Sequence, residues 1–177
     1  MGNKNVRYNF NACCRIHNIC STDILRPSLC HIFFKDGNAI CSEGHMMAIF
    51  KIGEISNLSE DDIKKLDGKL IHLNGYRQLL KYNTIEILED GILAKGDEFE
   101  VKVLFKDLKY PNFSKIVEDA LNAKSKESKI HIKAEQLKEL QSCLGASGSI
   151  INVSSPNNSL VINFPNMESF AILAQRS

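Results

Sequence analysis

One arrangement recurs three times along this chain and narrows its possible folds more than any other feature. It is an extended segment, a short helix, and then strands joined by tight turns. In the first pass Val6, Tyr8 and Phe10 alternate, the period of a half-buried strand. Ala12, Cys13, Ile16, Ile19 and Cys20 follow at helical spacing. The runs "LCHIFF" and "AICSEGHMMAIFKI" then flank Lys35-Asp36-Gly37-Asn38, a hairpin signal. The second pass opens with "KLIHL". A short helix, capped by Asn74 with Tyr76, Leu79 and Leu80 inward, precedes "TIEILED", "GILAKG" and "EFEVKVLF". The third opens with "KIHI". Its helix has Leu137, Leu140 and Leu144 on one face and Gly145 at its C-cap, and "SIINVSS", "NSLVINF" and "SFAILAQ" complete it around a turn at Pro156-Asn157-Asn158.

The chain therefore divides into three β-α-β-β-β units, over about 4–55, 69–106 and 129–177. Repetition of this kind turns a generic α+β composition into a specific architecture, with helices on one face of antiparallel sheets. Residues 1–117 form a domain of two units, 118–128 a charged, serine-rich linker, and 129–177 a half-domain of one unit.

The first unit contains an oddity. Ser42-Glu43-Gly44-His45 places a polar break, a glycine and a titratable histidine in the middle of an apolar stretch. Such a break suits a catalytic or metal site, a turn, or the lip of a binding groove. Cys14-x2-His17-x2-Cys20, with Cys30, His31 or His45 nearby, matches no common zinc spacing. The six cysteines read better as small buried apolar residues than as ligands, so no metal and no cofactor is expected. No phosphate-binding glycine loop, HExxH or paired carboxylates appear, which argues against an enzyme.

Charge and hydropathy set further bounds. A net charge of +1 gives no global pull toward nucleic acid or membrane, although a local basic face remains open. Val6 stands where a myristoylation signal requires Ser or Thr, and no apolar run approaches the ~20 residues that span a bilayer. The expected location is the cytoplasm.

Taken together, these residues resemble the bacterial sliding clamp, the beta subunit of DNA polymerase III. "RPSLCHIFFKDGNAICSEGHMMAIFKI" is similar to the clamp's middle domain, with Ser42-Glu43-Gly44-His45-Met46-Met47-Ala48 in place of its Thr-Asp-Gly-His-Arg-Leu-Ala motif. "YPNFSKIV" resembles the Phe-Pro-Asp-Tyr segment that ends that domain, and "SFAILAQRS" resembles the clamp's C-terminal strand and tail. The resemblance implies a DNA-clamp fold, and a DNA processivity factor that holds duplex DNA without sequence preference. It also implies a groove for the short peptides of polymerases and other partners. Carried over position by position, that groove comprises Leu29, Ser42, Gly44, His45, Met47, Pro111, Ile116, Ala171, Leu173, Ala174 and Gln175. Leu173, Ala174 and Gln175 replace the family's Met-Pro-Met, so the pocket should differ in shape. Phosphate contacts would come from Arg15, Arg77, Lys81 and Lys138 on the helices, the third of which also carries Glu135 and Glu139.

The clamp's first domain and the first half of its last domain have no counterpart here. The lone third unit would expose Leu137, Leu140 and Leu144, each worth roughly 1.5–3 kcal/mol when buried. The expected remedy is a homo-oligomer through residues 129–177, with two copies rebuilding a whole domain. The alternative is a clamp-derived peptide-binding module that forms no ring and competes for clamp partners.

Overall fold

The computed structural model describes residues 7–122, 133–144, 152–154 and 159–174. The first unit supplies a 3-10 helix (Ile16–Ile19), a second (Pro27–Cys30) and strands β1 (His31–Lys35), β2 (Asn38–Ser42) and β3 (Met46–Lys51). Asp36 and Gly37 both have positive φ, 49° and 73°, so the hairpin signal becomes a tight turn matched to strand twist. Two short helices, α1 (Ile52–Ile55) and α2 (Glu60–Lys65), lead to the second unit. That unit holds β4 (Leu70–His72), α3 (Leu73–Leu79), β5 (Thr84–Ile87), β6 (Gly91–Lys95) and β7 (Glu100–Leu104). Helix α4 (Ser114–Asn122) then precedes the third unit, with α5 (Ala134–Leu144), β8 (Asn152–Ser154), β9 (Ser159–Asn163) and β10 (Phe170–Ala174).

Two antiparallel sheets result: one of seven strands in the order β4-β1-β2-β3-β10-β9-β8, and one of three, β5-β6-β7. The first two units exchange their opening segments. β4 of the second unit pairs with β1 of the first. Reciprocally, Tyr8 lies along β5, its amide donating to the Asn83 carbonyl at 2.8 Å and its carbonyl accepting from the Ile85 amide at 2.9 Å. The third unit joins the first edge to edge, with β10 antiparallel to β3 from Phe170↔Ile49 to Leu173↔Met46. Glu54 on α1 secures that junction by accepting from the Glu168 and Ser169 amides at 2.6 and 3.2 Å.

Strand alternation sorts the side chains into two layers. Ile32, Phe34, Cys41, Ala48, Phe50, Ala171 and Leu173 face the helices and share one core with Ile16, Ile19, Tyr76, Leu79 and Leu140. The fully buried Tyr76 ring lies 5.0 Å from Phe10, and its hydroxyl donates to the Cys14 carbonyl at 3.3 Å, locking the helices of the first two units together. On the opposite sheet face Ile40, Ile49, Leu70 and Tyr110 form a smaller cluster, continued by Ala120, Val161 and Ile172 beneath α4.

Several local expectations change. The segment read as a first strand makes only isolated bridges at Tyr8 and Phe10. Between them the buried Asn9 amide donates to the Leu79 and Tyr82 carbonyls at 2.7 and 2.9 Å, replacing ladder bonds with side-chain bonds. The helix expected from Ala12 shrinks to four residues, because an Asn11 turn precedes it: Oδ1 of Asn11 accepts from the Cys13 amide at 3.0 Å. His72, not Asn74, caps α3, its Nδ1 accepting from the Asn74 amide at 3.2 Å. Residues 118–122, read as the start of a linker, are helical in α4 and bury Ala120. The "KIHI" strand, the Gly145 cap and the Pro156-Asn157-Asn158 turn lie outside the described residues.

The largest change concerns α5. Leu140 and Cys143 are fully buried and Leu137 is half-buried within the single chain, packed with the core that includes the first 3-10 helix. Asn18 Nδ2 also donates to Ser142 Oγ at 3.1 Å. The first unit thus covers Leu140 and part of Leu137, two of the leucines that the sequence assigned to a second copy, and for these two that reason for self-association through residues 129–177 is removed. Among the described residues no helix is long and apolar enough to cross a membrane.

Candidate nucleic-acid interface and peptide groove

The first 3-10 helix, α3 and α5 form one layer on the inner sheet face, and its solvent side carries the expected cations. Arg15 precedes the first 3-10 helix, while Arg77 lies in α3 and Lys81 just beyond its end. The fold brings all three to the wall of one cavity of about 730 Å³, together with His17, Asn18 and Glu139. Exchange of opening segments between the two units sets this convergence, since it presses α3 against the first 3-10 helix. Burial first, then Arg77 and Arg15, hold the His17 imidazole below its ordinary pKa, so it is neutral at pH 7 and adds no cation. Lys138 is exposed on α5 but does not line this cavity.

The face contributed by α5 has the opposite sign. A neighbouring cavity of about 760 Å³ is lined by Asp23, Glu43, Glu135 and Glu139, with Lys133 and His45 also on its wall. Burial raises the Glu139 pKa, and the Glu43 and Glu135 carboxylates raise it further. Among the described residues, the clustered cations Arg15, Arg77 and Lys81 come from the first two units.

The groove residues separate into three sets. Leu29 and Met47 meet on the outer sheet face, in one cluster with Phe33, Tyr110, Phe113 and Val117. Gly44 sits beside them at φ 102°, where a Cβ would lie 2.8 Å from Arg26 Nη1 and 3.8 Å from Leu29 Cδ1. Ser42 holds this turn, its Oγ donating to the Met46 carbonyl at 2.9 Å and accepting from the Gly44 amide at 3.1 Å. The Gly44→Ala variant should cost at least ~1 kcal/mol through its forced positive φ. That corresponds to a thermal midpoint lower by about 2–4 °C in a chain of this size, readable by calorimetry.

A second set lies at the rim. The His45 carbonyl accepts from the Ala174 amide at 2.8 Å, and both residues are exposed at the mouth of the acidic cavity. Pro111 is exposed beside Tyr110, and Ile116 is 49% exposed on α4. The third set is a correction: Ala171 and Leu173 point into the main core, at 0% and 1% exposure, and form no wall of an outer groove. The outward positions on the same strand are Phe170 and Ile172, which pack with Val117 and Ala120. Strand period alone separates 170 and 172 from 171 and 173; what was missing was which pair faces out. Gln175 lies outside the described residues. Sequence reasoning also passed over Tyr110, which stacks on Phe33 at 5.0 Å and whose buried hydroxyl has no hydrogen-bond partner among the described residues.

Five of the six cysteines belong to the packing, as expected, but Cys13 is exposed. Burial raises the thiols of Cys14 to about 11 and Cys143 to about 12, and Cys41 is pushed up in the same direction. Thiols so held are protonated and inert at pH 7.

No family model and no curated protein matches the chain. Solved structures do. The DNA polymerase III beta subunit of Borrelia burgdorferi, in complex with a natural product, superposes with a TM-score of 0.60 at 12% identity, over 100% of this chain and 66% of its own. The beta chain of Streptococcus pneumoniae gives 0.60 at 16% identity, over 94% and 62%. This chain has the sliding-clamp fold. The Helicobacter pylori beta clamp, bound to a DNA ligase peptide, gives 0.50 at 11% identity, over 92% and 63%. Identities this low establish the clamp fold alone, and the chain spans 62–66% of the length of these clamps.

Proposed function

We propose that the protein is a clamp-like DNA processivity factor. It holds duplex DNA without sequence preference on its helix layer and tethers polymerase-type partners through a short peptide. The observation that carries this reading is the convergence of Arg15, Arg77 and Lys81, from two units, on one cavity of the layer that a clamp fold turns toward DNA. Cations so grouped neutralise backbone phosphates and release counterions, giving sequence-independent, salt-sensitive binding.

Peptide tethering is supported by the half-buried apolar cluster of Leu29 and Met47 beside the Gly44 turn. An adaptable methionine and a turn lacking a side chain suit an extended apolar peptide. The reading is also in line with the ligase peptide on the Helicobacter pylori clamp.

The acidic face that α5 sets beside the basic cavity favours a second reading, in which the chain keeps the groove, closes no ring and competes for clamp partners. Retention on DNA separates the two. A ring loaded on a nicked circle should stay through a high-salt wash and be lost once the circle is cut open. Equal retention on circular and linear DNA would overturn the ring and leave the module.

A further inference from the structure

We infer that the cavity between the first 3-10 helix, α3 and α5 seats a phosphate group, and that His17 takes up a proton as the phosphate enters. The source of that phosphate, the backbone of a DNA duplex, rests on the function proposed above. Unanswered donors are the first sign. Arg15, Arg77 and Lys81 surround a space of about 730 Å³. Their side chains can only donate, and among the described residues none of the three forms an ion pair. Lys35, Lys65, Lys95 and Lys102, by contrast, each meet a carboxylate at 2.7–2.9 Å.

The imidazole is the second sign. His17 stands on the same wall at 9% exposure, and its buried Nδ1 has no hydrogen-bond partner among the described residues. Native structures leave few buried polar atoms in that condition. The Tyr76 ring packs against it with centroids 5.8 Å apart, but the Tyr76 hydroxyl is engaged by the Cys14 carbonyl at 3.3 Å. Arg15 and Arg77 offer nothing to which a charged ring could donate. Phosphate oxygens accept from guanidinium, ammonium and imidazolium groups together.

Without an anion the ring is neutral at pH 7, because burial, then Arg77 and Arg15, disfavour its charge. A phosphate seated between the two arginines opposes their effect, so the ring's pKa rises and a proton from solvent joins the complex. The groups that face His17 are Arg15 and Cys20 from its own segment, Tyr76, Arg77 and Lys81 from α3 and its end, and Glu139 from α5. On the core side stand the protonated thiols of Cys14, Cys41 and Cys143. Glu139 also titrates upward of its ordinary range, so its share must be separated. Binding that takes up one proton strengthens as the pH falls, by at most about tenfold per pH unit.

Nuclear magnetic resonance of the full chain tests this through titration of its five histidine rings. The chain is titrated alone, with a saturating short duplex of arbitrary sequence, and with inorganic phosphate at matched ionic strength. The duplex should move the His17 midpoint upward and leave those of His31 and His72, on β1 and β4, in place. In a separate binding assay, duplex affinity should rise about threefold or more from pH 8 to pH 6. H17Q should lose most of that rise, whereas E139Q should keep it. A His17 midpoint unmoved by saturating duplex, or an equal rise in H17Q, would overturn the inference while the DNA surface stands. A chain that binds no duplex would overturn the DNA reading, and the phosphate titration then decides. An upward midpoint there assigns the cavity to a free phosphate, and an unmoved one ends the proposal.

Discussion

Leu173→Asp should leave little folded protein, whereas Met47→Asp, on the adjoining strand, should leave a folded chain that has lost its peptide. Leu173 is 1% exposed and sits in the main core with Cys41, Leu140 and Leu160. Removing such a side chain costs about 2–5 kcal/mol. Burying a carboxylate that no partner meets adds several more. The sum approaches the whole stability of a domain, about 5–15 kcal/mol. Circular dichroism of Leu173→Asp should show no cooperative melt above room temperature. Met47 is half-buried on the opposite face, in the cluster with Leu29. A charge there meets solvent, so its melt should move by only a few degrees. Binding of a fluorescent clamp-type peptide should fall ~10-fold or more, the loss expected when a central apolar contact becomes charged. Normal peptide affinity in Met47→Asp would move the groove elsewhere. A well-folded Leu173→Asp would mean that β10 is not seated as described.

The second large effect concerns DNA. Arg77→Glu combined with Lys81→Glu replaces two of the three cations at the helix-layer cavity with carboxylates, next to Glu139. Each phosphate contact contributes about 0.9 to the slope of log affinity against log salt. The double variant should lower that slope by about two and weaken duplex binding equally across unrelated sequences. Both residues are exposed, so the melting temperature should hold. Lys138→Glu, away from this cavity, should change the slope by less. An unchanged slope in the double variant would overturn the DNA surface while leaving the clamp fold intact.

The strands and hairpins of the first two units were legible because strand and helix periods differ and because Asp36-Gly37 and Glu89-Asp90-Gly91 mark the hairpins. α2 was legible too, though passed over: Ser59 caps it by accepting from the Asp62 amide at 3.2 Å, in a Ser-x-x-Asp pattern. The first 3-10 helix was overextended because Ala12 and Cys13 satisfy helical spacing while the Asn11 side chain diverts the backbone. These are local effects, and local chemistry explains both the hits and the misses.

The groove shows the other limit. Its motif at Ser42-Glu43-Gly44-His45 was visible as a polar break, and the fold makes it the turn between β2 and β3 with Leu29 and Met47 alongside. The period of β10 was equally visible, but its phase was not. A strand buried on both faces alternates between two apolar sets, and nothing in "FAILA" says which set faces the helices. Register with β3 decides that, by placing Ile172 opposite Met47 and Leu173 opposite Met46.

By itself the sequence determined the order of the described strands and helices, the hairpins at Asp36-Gly37 and Glu89-Asp90-Gly91, and the basic character of the first two helices, because these depend on spacing within about twenty residues. Only the tertiary structure decided that β4 and the Tyr8 segment cross between units, that α5 is covered by the first unit, and that α4 roofs the outer sheet face. Those outcomes depend on pairing between distant strands, which brings together side chains that no local spacing relates.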